Sequence, residues 1–281
     1  MGASMTVKEI DFVKLSPTQN MTLLVRTEHP VGEYPDIATA IMSVGHVHAE
    51  QVGFIREPTL PGVDAHLHMS ADEFCGNGCM ALAALVASKQ GLRSDGQTDI
   101  VLEASGAQEP IRCRVERRYP DYYCQLPMPL PSRVEPYLVE AQDAGRSALV
   151  LYENSVHVVI ETERLDQETK DRAEVLAKQL EKTWSVPLIG VMLYSPGRKQ
   201  LAPLISIPSL GCMIWEKSCG SGMASLGAYL AMKAGGSVMA SITQPGGTMS
   251  VEAQYVQGVL KDLQVAGTVR IVAEGRAYVH A

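Results

Sequence analysis

Aromatic residues make up only 5% of the 281 positions. No apolar run approaches the ~20 residues that a membrane-spanning helix needs. There is no cluster of Lys or Arg, and the formal charge is −7. That balance argues against nucleic acid and against anionic membrane surfaces as partners. No two cysteines stand in C-x-x-C spacing, which weakens readings as a zinc site or a thioredoxin-like redox site. No cofactor motif is recognisable, so neither a cofactor nor a metal is expected. The opening MGASMTVKEIDF has no apolar stretch of the signal-peptide kind. It fits the loose myristoylation pattern through Gly2 and Thr6, but Met5 reads as a natural start and MGAS as an added leader. The six cysteines, at 75, 79, 113, 124, 212 and 219, are therefore expected to be free thiols in a reducing cytoplasm.

What the chain does have is apolar content, 46% of residues, rich in small side chains that suit close packing of helix on sheet. It also has a repeat. CGNGCMALAALVASK runs from Cys75 to Lys89, and CGSGMASLGAYLAMK runs from Cys219 to Lys233. Each opens Cys-Gly-x-Gly, continues as an Ala/Leu-rich stretch and meets a glycine, Gly91 or Gly235, just past its closing lysine. That is a helix with its stop signal. Apolar residues fall on every side of both helices, as in helices buried within a lobe.

Around each repeat the order is similar. EIDFVKL, MTLLV, QVGFI and DAHLHM read as strands, YPDIATAIMSV as a helix, and DIVLEAS, PIRCRVER and DYYCQLPM as strands again. Proline-rich PMPLPSRVEP (127–136) reads as a linker. Beyond it come ALVLYENSVHVVIE as one or two strands, ERLDQETKDRAEVLAKQLEK as an amphipathic helix, then LIGVMLYS and LAPLISI. The second repeat follows, and SVMASITQ, GTMSVEAQYV and GTVRIVAEGRAYV close the chain. The expectation is an α/β protein of two pseudo-symmetric lobes, each a mixed or antiparallel sheet wrapped round one central helix. The lobes are 1–130 and 131–266, with 267–281 returning to the first.

A cysteine at a helix start lies at the positive end of the macrodipole, which favours thiolate. The neighbouring glycines leave backbone N–H groups open to an anion. Two such ends facing one another would suit inversion at an amino-acid α-carbon. One thiolate removes the α-proton, the opposite thiol returns a proton, and the N–H groups stabilise the enolate-like oxyanion. The plainer alternative is that Gly-x-Gly lets two buried helices start tightly and that the cysteines are small core residues.

With these residues in view, the chain resembles the diaminopimelate epimerase family nearly end to end. SADEFCGNG and SCGSG resemble its two catalytic-cysteine motifs, implying Cys75 and Cys219 as the catalytic pair. KLSPTQNMTLLV is similar to its opening segment and places Asn20 at a substrate-binding asparagine; HAEQVGFI resembles its Gly-x-Asp-Gln segment and gives Glu50 and Gln51. Gly76, Asn77, Gly220 and Ser221 follow the cysteines as substrate-binding candidates. The departures concern the distal end of the substrate. His66 stands for an asparagine, Gly190 for another, NSVH (Asn154 to His157) replaces Asn-Pro-His, and IPSLGCMIWEKSC has no arginine. A distal carboxylate would lack its bidentate partner.

Among relatives of this type the chain is most like the histidine racemases of opine-metallophore biosynthesis, which implies L- to D-histidine conversion. His66, His68, Glu50 and Glu216 are the candidate groups for an imidazole, with Glu216 either orienting the substrate ammonium, tuning Cys219 or lying on the surface. The expected partner is thus a small amino acid, and a homodimer is the candidate assembly. A diaminopimelate or hydroxyproline-type epimerase remains the alternative enzyme, and a thiol-based metal or redox module the alternative without catalysis.

Overall fold

Apolar alternation builds the strands, and the direction of neighbouring strands dictates where helices must run. The computed structural model describes residues 7–139 and 146–280; Gly2, Met5 and Thr6, with the myristoylation pattern, lie outside the described residues. The chain divides into two units, Met1–Leu126 with Gly267–Ala281, and Pro127–Ala266.

In the first unit β1 (Val7–Pro17) pairs antiparallel with β2 (Thr22–Val25). β2 pairs parallel with β3 (Gln51–Arg56), so the chain must cross over, and α1 (Tyr34–Met42) is the crossover. β4 (Ala65–Met69) is antiparallel to β3 and parallel to β5 (Gln97–Ala104), which requires a second crossover, α2 (Gly76–Lys89). β6 (Ile111–Arg118) and β7 (Asp121–Pro127) follow antiparallel. β7 neighbours the last strand, β16 (Val259–His280), and β16 pairs back onto β1, closing a ring.

The two crossovers differ in burial, and their patterns say why. α1 buries one face, Tyr34, Ile37, Ala38 and Ile41, at i, i+3, i+4 and i+7, against Ile10, Phe12, Leu23, Val52 and Phe54. α2 is buried at every residue from Gly76 to Leu85 and packs on β1, β2, β4, β5 and β6, so it runs inside the ring.

The second unit repeats the scheme. β8 (Arg133–Pro136), β9 (Ser147–Leu151) and β10 (Ser155–Glu161) are successive antiparallel strands. α3 (Gln167–Thr183) crosses from β10 to its parallel neighbour β11 (Leu188–Ser195). Its buried residues Ala173, Leu176, Ala177 and Leu180 form one stripe on Val158, Val191 and Leu204. β12 (Gln200–Ile207) carries the short β13 (Cys212–Trp215). α4 (Gly220–Ala234) then crosses to β14 (Val238–Gln244), which is parallel to β12. β15 (Gly247–Val256) and the first part of β16 complete the sheet. α4 packs on β9, β10, β11, β14 and β15 and is buried from Gly222 to Tyr229.

The α/β fold with one enclosed helix per lobe is the fold expected from the sequence. Three local details differ. Part of the proline-rich stretch is not linker but the edge strand β8, where Pro136 ends the strand and costs no central ladder bond. β13 was not anticipated, because a four-residue strand has too short a pattern to read. The last strand begins at Val259 rather than Gly267, since the hairpin Val256–Val259 turns within two residues. Among the described residues no helix is long and apolar enough to cross a membrane.

α4 touches its sheet through a glycine. A Cβ on Gly227 would lie 2.3 Å from Val251 Cγ2, and a β-branched side chain has little room to retreat. Gly227→Ala should therefore destabilise the protein by about 1–3 kcal/mol through overpacking, although alanine is the better helix former. Urea unfolding measures this, and an equal or raised stability would show that α4 does not approach β15 so closely.

Candidate active site

Cys75 and Cys219 are each the N-cap of the enclosed helix. Their backbone angles nearly coincide, φ −129°, ψ 107° for Cys75 and φ −130°, ψ 112° for Cys219. Each sulfur accepts the N–H three residues on, from Gly78 at 3.2 Å and from Gly222 at 3.3 Å. A sulfur thus takes the place of the usual capping oxygen. Glycine at that third position lets a methionine side chain pack against each cap. A Cβ on Gly78 would lie 2.9 Å from Met69 Sδ, and one on Gly222 would lie 2.7 Å from Met192 Sδ.

At the α4 end the orphan donors can be counted. The Cys219 N–H goes to Gln244 Oε1 at 2.8 Å, and the Gly222 N–H goes to sulfur. The first helical bond joins Met223 N–H to Cys219 O. Among the described residues the N–H groups of Gly220 and Ser221 have no backbone acceptor, the kind of donor pair that an anion can take at a helix start.

The two thiols sit in different company. Cys75 donates to Gln51 Oε1 at 3.0 Å. Cys219 lies 3.3 Å from Ser221 Oγ and within hydrogen-bonding reach of the Glu216 carboxylate. Burial raises the Cys219 pKa well above its ordinary value; the Glu216 charge and hydrogen bond add to this, and Ser221 and the Gly222 N–H only partly oppose it. Cys219 therefore rests as a thiol. Helix-end stabilisation of about 0.3–1 kcal/mol is smaller than the cost of burying a charge. Cys79, Cys113 and Cys124 are fully buried, and burial raises all three, Cys113 to about 12. They are packing thiols around α2, and Cys124 donates to Met80 O.

Several predicted residues gather near Cys75. The parallel register Thr22↔Gln51 brings Asn20 and Met21 beside Glu50 and Gln51, whose N–H groups both go to Met21 O. Asn20 is fully buried and Asn77 nearly so. His66 is placed elsewhere. Leu67 and Met69 pack towards Gly78 on α2, so strand alternation turns His66 and His68 to the other face of β4. There His66 Nδ1 lies 3.2 Å from Glu103 Oε2, and His68 meets Asp72 and Tyr34. Glu103 also accepts the Thr59 and Leu60 N–H groups, which hold its carboxyl below the usual range despite burial.

In the second unit Gly220, Ser221 and Glu216 surround Cys219, while Asn154 is exposed in the bend between β9 and β10. Sequence reading named His157 only as part of the altered NSVH segment and missed Tyr152 and Ser225, which back this end with it. His157 is fully buried, its Nδ1 2.7 Å from Ser225 Oγ, and Ser225 is 3.0 Å from Tyr152 Oη. Burial lowers the His157 pKa to about 4, so the ring is neutral. A Cβ on Gly190 would lie 2.7 Å from that ring, so the glycine makes room for it. For Tyr152 and Ser225 the readable signal was polarity inside an apolar strand pair and helix. A cavity of about 610 Å³ lies elsewhere in this unit, between α3 and β10–β11, lined by Glu161, Arg164, Thr169, Arg172 and Leu176.

The family described as "Histidine racemase CntK N-terminal domain" matches residues 9–278. A histidine racemase of Staphylococcus aureus (strain Mu50) is 33% identical over 273 residues, covering 96% of this chain and 98% of the relative. A histidine racemase of Fusobacterium nucleatum is 26% identical over 278 residues, covering 97% and 98%. Among solved structures, a hydroxyproline epimerase from Agrobacterium vitis superposes with TM-score 0.67 at 10% identity, covering 97% of this chain and 93% of its own. A Bacillus anthracis phenazine biosynthesis protein of the PhzF family superposes with TM-score 0.66 at 14% identity, covering 97% and 99%. These structural likenesses concern the fold.

If Glu216 holds the proton on Cys219, Glu216→Gln removes a cause that raises its pKa. The thiolate fraction at a given pH should then rise. Iodoacetamide should alkylate Cys219 faster in the variant, with the midpoint of the rate–pH curve moved to lower pH, as read by mass spectrometry of the Cys219 peptide. An unmoved or raised midpoint would show that Glu216 does not act on this sulfur.

Proposed function

Because the chain belongs to the histidine racemase family, whose domain model it matches over residues 9–278, we propose that this amino-acid racemase interconverts L- and D-histidine with Cys75 and Cys219 as its acid/base pair. The observation that carries the proposal is the matched capping of two enclosed helices by cysteine, with the same backbone angles and the same sulfur–glycine bond. In this reading 1–130 with the returning 267–281 carries one thiol, and 131–266 the other. No cofactor or metal is required, since the protons move between sulfur and the α-carbon.

The reaction needs one deprotonated and one protonated sulfur. Cys219, held as a thiol by burial and Glu216, supplies the protonated partner, and Cys75 serves as the base when Cys219 donates. The reverse direction exchanges the roles. The N–H groups of Gly220 and Ser221 take the substrate carboxylate and stabilise the charge that develops on it. Gly76 and Asn77 do the same at α2, and Asn20, Glu50 and Gln51 complete that wall. The missing arginine before Cys219 argues against diaminopimelate, whose second carboxylate would be left unpaired. D-Histidine made in the cytoplasm would serve as a building block of a metal-chelating small molecule, as the resemblance to the metallophore enzymes implies.

Cys75→Ser and Cys219→Ser test the pair. A serine hydroxyl keeps the shape of the cap but is far too weak an acid, so racemisation of L-histidine should fall by about 10³-fold or more in each variant. Chiral chromatography reads the racemisation, and NMR in deuterated water reads loss of the α-proton signal for histidine against other L-amino acids. A near wild-type rate in either variant would overturn the two-thiol mechanism. Faster exchange of another amino acid would overturn the choice of histidine.

A further inference from the structure

Gln244 breaks the pattern of its own strand. Along β14, Ile242 and Gln244 are buried while Ser241 before them and Thr243 between them are exposed, so the inward face carries an uncharged but strongly polar amide where an apolar residue is the rule. Gln244 is only 3% exposed. A buried amide is costly unless both its ends are used, and here both are. Oε1 accepts the Cys219 backbone N–H at 2.8 Å, and Nε2 donates to Met249 Sδ at 3.2 Å. Because the backbone N–H can only donate, the amide oxygen must face Cys219.

The same hairpin makes a second tie. Gln244 pairs with Gly247 across the two-residue turn Pro245–Gly246, and the Gly246 N–H reaches Lys217 O at 2.7 Å. Residues 217 and 219 are thus both held from one hairpin tip, on either side of Ser218, which is fully buried. The first unit uses the corresponding corner for the same purpose. Ser105, just past β5, donates to Glu73 O and accepts the Met69 N–H, and a Cβ on Gly106 would lie 2.3 Å from Phe74 N. In both units the strand pair after the enclosed helix grips the loop that delivers the cysteine.

We infer that Gln244 is a positioning residue for the racemase reaction, holding the Cys219 main chain so that the sulfur stays at the helix cap and the Gly220 and Ser221 N–H groups stay open to the substrate carboxylate. The inference rests on the assignment of Cys219 to the reaction. Gln244 consumes one orphan donor and the sulfur consumes another, which leaves the two donors that a carboxylate can bridge. Without the amide, the Cys219 N–H would be a buried, unpaired donor free to compete for that carboxylate or to pull the cap aside.

Two substitutions separate this role from packing. Gln244→Met keeps the size and removes the acceptor. Gln244→Glu keeps the acceptor and adds a charge beside Cys219, where Glu216 precedes the sulfur, Ser221 lies on α4 and Tyr152 approaches from the β9–β10 bend. In the full-length protein, Gln244→Met should lower kcat by about tenfold or more through misplacement, with KM for L-histidine changed by less than about threefold. Cys219 should also be alkylated faster by iodoacetamide at fixed pH, because a loosened cap exposes the sulfur. Gln244→Glu should raise the midpoint of Cys219 alkylation by about one pH unit, as an added nearby carboxylate does, and move the pH optimum of kcat the same way. A packing role alone would lower the unfolding temperature and leave kcat per folded molecule and the alkylation midpoint unchanged; that result overturns the inference. Should Gln244→Met fail to fold, an unmoved midpoint in Gln244→Glu overturns it. Alkylation reads the clasp whether or not Cys219 is catalytic, whereas racemisation surviving Cys219→Ser would defeat the catalytic assignment alone.

Discussion

The enclosed helix is the constraint on which each unit depends. A helix that bridges two parallel strands normally lies on the outside of its sheet, as α1 and α3 do, with one apolar face buried. α2 and α4 instead run within the curl of their sheets, so the residues of their first turns are mostly buried and the caps must satisfy donors there. Whatever caps such a helix must be small, must accept a hydrogen bond and must be delivered by a loop in extended conformation. Cysteine meets all three needs, and in the proposed reaction the same sulfur carries the proton. Structural necessity and chemistry are met by one atom.

Enclosure has an electrostatic consequence that a bare helix end does not. In water the macrodipole would favour the thiolate. Around Cys219 burial works in the opposite sense, and Glu216 strengthens it, so the sulfur keeps its proton. In the proposed reaction the first-turn N–H groups and the protonated thiol serve together at one helix end: the backbone accepts charge while the sulfur remains an acid. Ser225 of α4, His157 of β10 and Tyr152 of the β9–β10 bend form a neutral hydrogen-bonded row, adding polarity without adding charge.

Close packing by glycine lets the sheets curl tightly round these helices. Gly53 and Gly78 meet Leu67 and Met69 in the first unit, and Gly222 and Gly227 meet Met192 and Val251 in the second. The pairing of His157 with Gly190 follows the same logic, a ring filling the space of an absent side chain. Scarcity of aromatic residues and abundance of small ones are the compositional trace of this arrangement.

The amino-acid sequence by itself determined what depends on near neighbours along the chain. The two helix starts at Cys75 and Cys219 and their glycine stops were legible because capping and left-handed termination are decided within a few residues. The strands and the twofold order of elements were legible because period-two alternation is local. Only the tertiary structure decided what depends on residues far apart in sequence. His66 sits with Glu103 because the packing of Leu67 and Met69 on α2 selects the other face of β4 for it. Cys219 rests as a thiol because its burial, invisible to motif and spacing, outweighs the dipole. Gln244 finds the Cys219 N–H twenty-five residues away because a hairpin folds back on the loop before α4. Burial and partnership across the chain are set by the three-dimensional path of the backbone, and no local window contains them.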